Sequence, residues 1–119
     1  MKKPLITLAA VVLFAVFAVT VYAADLSGSW SAAVQTNAGS GTTTFVLKQD
    51  GDKLTGTYSD PYGDAAVTGT VKGSDVTLAF TEQGVNATYT GKVDGTGTKI
   101  EGTCDYGGQA SGTFTATKK

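Results

Sequence analysis

A five-residue pattern, apolar-x-Gly-x-apolar, recurs six times along the chain. It appears as Leu26–Trp30, Leu54–Tyr58, Val67–Val71, Tyr89–Val93, Ile100–Cys104 and Ala110–Phe114. In a β-strand, positions one, three and five share a face, so each glycine lies on the apolar face between two larger residues. A glycine inside a strand usually weakens it. Repeated on one inner face, it suits a small barrel, whose strands coil hard around a limited interior. Two more alternating runs, Thr43-x-Phe45-x-Leu47 and Val76-x-Leu78-x-Phe80, complete a set of eight. The pattern predicts strands over 26–36, 42–49, 53–59, 65–72, 75–82, 86–93, 98–105 and 109–117, with turn residues between every pair. Short connections make sequence neighbours antiparallel hairpins. The expected fold is therefore all-β, an eight-stranded antiparallel up-and-down β-barrel that closes its first strand on its last. A two-sheet sandwich is the alternative, and no long crossover supports it. Outward positions are rich in threonine, as a solvated β surface prefers.

Ahead of this domain, Lys2 and Lys3 precede an apolar run from Leu5 to Val21, and Val21-Tyr22-Ala23 offers small residues where a signal peptidase reads. Residues 1–23 are expected to be a signal peptide cleaved after Ala23, with 24–119 a single barrel domain in the periplasm or outside the cell. An uncleaved anchor is the competing reading, because so short a run is at the lower limit for spanning a bilayer. After cleavage no membrane association is expected.

Composition removes several functions. The chain has no histidine, which excludes a Ser-His-Asp triad, a Cys-His pair and a His-based zinc site. It has no arginine, and its formal net charge is -1, so nucleic-acid binding is not expected. Cys104 is the one cysteine, which rules out an intramolecular disulfide; its alternation with Ile100 and Gly102 turns it inward as an inert thiol. Asp50-Gly-Asp52 and Asp60-Pro-Tyr-Gly-Asp64 lack a full calcium loop and read as turns, so no metal or other cofactor is expected. Glu82 with Asp60 or Asp105 could form the two-carboxylate pair of a glycosidase. A closed barrel offers no deep cleft for a polymer, and the chain is not expected to be an enzyme.

In an up-and-down barrel alternate connections emerge at the same end. Asp50-Gly51-Asp52, Gly73-Ser74 and Asp94–Gly97 mark an end of tight turns. Asn37–Gly41, Asp60–Asp64, Gln83–Val85 and Tyr106–Gly108 mark an end expected to carry larger loops. Charge divides along the same line. All lysines beyond the leader lie near the tight-turn end, whereas Asp60, Asp64, Glu82 and Asp105 lie at the other with no lysine. Leu26, Trp30, Leu54, Val76 and Ile100 form an inward apolar plug at the first end. Tyr58, Phe80, Glu82, Tyr89 and Tyr106 face inward near the second. Apolar ring faces with a few placed polar groups are what a small-ligand site uses, so these five are the candidate ligand-binding residues.

Gly28-Ser29-Trp30 on the first strand, followed by Leu54-Thr-Gly-Thr-Tyr58, resembles the avidin/streptavidin family and the wider calycin group that includes lipocalins. The resemblance implies a barrel, with Trp30 closing its floor and Tyr58 at the position of a ligand-contacting tyrosine. Biotin is not implied: avidin-like sites use several further tryptophans, and Trp30 stands alone here. The serine and asparagine ligands do not align, and the calycin arginine of the last strand is absent, with Lys118 near its place. Leu26–Trp30 also resembles the opening strand of small exported bacterial inhibitors of serralysin-type proteases. Those place an N-terminal segment in the protease cleft, whereas here Ala24 and Asp25 alone separate the leader from the strand. The expected function is an exported module that binds a small neutral or cationic ligand at its acidic end. The alternative is a protein-protein interaction or assembly module, protease-inhibitor-like barrels included, with a filled core and a protein partner.

Overall fold

The computed structural model describes residues 25–119; the expected signal peptide and its cleavage point lie outside the described residues. Eight antiparallel strands form one closed barrel in sequence order: β1 (Gly28–Thr36), β2 (Gly39–Asp50), β3 (Lys53–Asp60), β4 (Gly63–Lys72), β5 (Asp75–Glu82), β6 (Val85–Val93), β7 (Lys99–Tyr106) and β8 (Ala110–Lys118). β1 closes on β8, with Val34 opposite Phe114 and Trp30 opposite Lys118.

Two of the inward glycines show why the pattern needs no side chain there. A Cβ on Gly56 would lie 1.8 Å from the Val46 carbonyl oxygen, and one on Gly112 would lie 1.8 Å from that of Gln35. Both approaches are to the backbone of the adjacent strand, so the coiled wall passes through the space a side chain would fill.

The expected contrast in loop length is not present. Residues 37–38, 61–62 and 83–84 are two-residue turns, and 107–109 a three-residue one. The longest connection, 94–98, lies at the opposite end. Side-chain hydrogen bonds explain the difference. Asp60 Oδ1 accepts from the backbone N–H of Tyr62 (2.8 Å) and Gly63 (3.1 Å), folding Pro61–Tyr62 into a tight turn. Thr36 Oγ1 accepts from Ala38 N (3.0 Å) and donates to Gly39 O (3.0 Å), which brings β2 forward to Gly39. Glycines and aspartates that read as loop are thus strand ends.

The end that carries residues 51–52, 73–74 and 94–98, the base, is sealed. Leu26 and Trp30 are fully buried there, and the Trp30 indole N–H donates to Leu26 O at 2.9 Å. Leu26 N in turn donates to Gln49 Oε1 (2.9 Å), and Lys118 Nζ to Asp25 O (2.9 Å), with the ammonium 5.9 Å from the Trp30 ring centroid. Outside, Lys72, Asp75, Lys92 and Glu101 stand side by side across β4 to β7, a rung of alternating charge.

Candidate functional site

Six aromatic side chains fill the barrel above the base. Tyr58 and Phe80 stack with ring centroids 4.0 Å apart, and Phe45 meets Tyr58 at 5.3 Å and Tyr89 at 5.4 Å. Phe114 packs on Tyr89 at 4.9 Å, and Tyr106 caps the cluster beside Tyr89 at 5.9 Å. The body of the barrel therefore has no room for a ligand. Above this layer the strands enclose an open cavity of about 510 Å³, within the range of small-molecule sites. Its polar lining includes Thr43, Asp60, Glu82 and Tyr106, its apolar wall Val34 and Val85, and Tyr62 stands at its rim, 79% exposed.

The five residues expected at the site are brought into one region, at two depths. Glu82 and Tyr106 line the cavity, while Tyr58, Phe80 and Tyr89 are buried in the aromatic layer beneath it. Asp64 and Asp105 are exposed rather than turned into the mouth. The acidic character of the cavity therefore comes from Asp60 and Glu82. Sequence reasoning set Asp60 at the acidic end and named it as a possible partner of Glu82 without counting it among the five, and did not assign Thr43 or Tyr62 to the site. The alternation of β2 and β3 carries two of them: Thr43 keeps the register of Phe45, and Asp60 that of Tyr58.

Hydroxyl and carboxyl groups at the mouth are connected through the tyrosines. Tyr58 donates to Asp60 Oδ2 at 2.9 Å, and the Tyr89 and Tyr106 hydroxyls bond to each other. Burial pushes all three phenols above their usual range, so they act as hydrogen-bonding groups and not as anions. Glu82 is different. Desolvation first, then the neighbouring Asp60 carboxyl, raise it to about 7.

Two buried side-chain oxygens of the described residues have no hydrogen-bond partner, Glu82 Oε2 and Thr43 Oγ1, and both residues line this cavity. An unpaired buried polar atom costs on the order of 1–3 kcal/mol. Their placement together is the chief chemical peculiarity of the molecule. A second hollow, about 380 Å³ over Ala66, Ala79 and Thr88, has no charged group in its lining. No protein-family model and no curated protein matches the chain.

Proposed function

We propose that the protein is an exported binding module that takes a small neutral or cationic molecule at its acidic mouth. The observation that carries this reading is the about 510 Å³ cavity whose lining contains both unpaired buried oxygens. A ligand that hydrogen-bonds to them recovers a cost the folded protein otherwise bears. The filled aromatic layer restricts the ligand to the space above it and gives it an aromatic floor.

Binding is better supported than catalysis. Asp60 is held by the Tyr58 hydroxyl and by two backbone N–H groups, as a turn-forming carboxylate is, whereas a glycosidase needs its second carboxyl free to act on the scissile bond. The leader-like residues 1–23 support export. The closed eight-stranded plan, with Lys118 over Trp30 at the floor, supports a calycin-like barrel.

Native mass spectrometry of the protein purified from its own host tests the reading. A small co-purifying mass, lost on denaturation and absent in Glu82→Gln/Tyr106→Phe, is the expected result. A bare chain is the result against it. A discrete oligomer with nothing bound would favour the assembly reading instead, which the filled aromatic core and the exposed Tyr62 ring support.

A further inference from the structure

Resting on that binding reading, we infer that the mouth recognises a protonated primary amine, its ammonium group seated among Glu82, Asp60 and Thr43 and its apolar stem against the rim.

The argument begins with what the cavity lacks internally. Glu82 Oε2 faces no donor, and Thr43, 8% exposed, has a hydroxyl oxygen without a partner. Asp60 is already engaged: it accepts from the Tyr58 hydroxyl and from two backbone N–H groups, which fix the carboxylate in place. All lysines among the described residues lie toward the base, so no side-chain cation is at hand to neutralise the pair. The site therefore presents negative charge together with open acceptors. A primary ammonium supplies the complement, one positive charge and three N–H donors with no acceptor of its own.

Competing ligands match less of this. A neutral alcohol brings a single donor and no charge. A quaternary ammonium has no N–H and leaves both oxygens unpaired. A metal ion would need more ligands than two carboxylates, and among the described residues no cluster of three His, Cys, Asp or Glu assembles. The stem has a surface to lie on in Val34 and Val85, with the exposed Tyr62 ring at the rim for contact with an apolar or cationic group.

Proton and amine compete for the same carboxyl. The titratable groups around Glu82 are Asp60 and Tyr58 on β3, Tyr89 on β6 and Tyr106 on β7; Thr43 on β2 adds a neutral hydroxyl. The inward residues of β1, β4 and β8 at this level, Val34, Ala65 and Ala110, titrate not at all. Because the phenols stay neutral, the charge of the mouth is set by the carboxyl pair. Amine affinity accordingly rises with pH as Glu82 ionises, near 7.

Calorimetric titration with 2-phenylethylamine, 2-phenylethanol and trimethyl(2-phenylethyl)ammonium, at pH about 8 and about 5.5, tests the assignment. The amine should bind about tenfold or more tighter than the other two at the higher pH. That advantage should shrink at the lower pH and in Glu82→Gln or Thr43→Val, and persist in Glu101→Gln at the base. Two variants on different strands guard against one that misfolds. Equal affinity for the alcohol and the amine would overturn the ammonium assignment and leave mouth binding standing. So would no binding of any probe by a protein that still carries a co-purified mass in its native spectrum. No probe bound and no mass carried would overturn both readings together.

Discussion

The base and the mouth of this barrel are built from the same eight strands and by opposite rules. Among the described residues, neither of the unpaired buried side-chain oxygens lies at the base. Trp30, Leu26, Gln49 and Lys118 bond to one another's neighbourhood, and Asp75 pairs with Lys92. Carboxylates there are stabilised as anions: backbone donors from Ser27 and Thr98 hold Asp25 and Asp94 below their usual range. At the mouth two carboxyls crowd together, buried oxygens go unpaired, and Glu82 is pushed up. Gln83, in the turn beside it, carries the one positive φ of any non-glycine among the described residues, 51°. The lesson is that short turns and a closed sheet constrain both rims alike, so the contrast between them is electrostatic and not one of loop size.

The largest test of that contrast is Trp30→Ala. Removing a fully buried indole and its hydrogen bond should cost about 3–5 kcal/mol in urea unfolding. A loss below about 1 kcal/mol would mean that the base is not the structural anchor. At the mouth the sign should reverse. Thr43→Val removes an unpaired buried hydroxyl while keeping its shape, and should stabilise the barrel by about 1–2 kcal/mol. Destabilisation instead would show that the hydroxyl is paired in solution.

The next effect is smaller and depends on pH. Glu82 titrates near 7 when folded against 4.5 as its ordinary value, so between the two the folded protein holds more protons than the unfolded one. Its contribution to stability is fully present below the ordinary value and is lost as pH rises through that window. Melting temperature should fall across it, and Glu82→Gln should flatten the slope and melt higher than wild type above neutral pH. A wild-type profile already flat there would break the comparison. The smallest change is expected from Asp75→Asn at the base. Its ion pair with Lys92 is largely exposed, and thermal melts should move by no more than the equivalent of about 0.5 kcal/mol.

Much of the barrel was legible because its inner face repeats with period two. Phe45, Phe80, Tyr89 and Cys104 are inward by alternation alone, and the glycines between larger neighbours marked the coiled wall. Depth along the axis was less legible. Strands in a barrel are tilted and staggered, so position along a strand does not give height above the base. That is why Tyr58, Phe80 and Tyr89 form the floor beneath the cavity and Tyr106 reaches it. Asp60 and Glu82 stand on β3 and β5, strands that are not neighbours; the shared acidic end grouped them, but no local spacing announced that both line one cavity. The turns misread for another reason. Asp60 and Thr36 bond to the backbone just ahead of them, which turns apparent loop into strand.

The pairing of β1 with β8 has a consequence for how the molecule comes together. Each other strand pair is a hairpin closed by a few residues, while this seam brings together positions as far apart as Trp30 and Lys118. The entropic cost of loop closure grows with chain length, by about 0.6 kcal/mol per doubling, so the seam carries the largest closure cost of the eight pairings. Until the seam forms, the sheet has two open edges with unpaired backbone groups, each able to accept a strand from another molecule. Completion of the β1–β8 seam is thus the step that removes both edges at once, and the Lys118 contacts to Trp30 and Asp25 fasten its end.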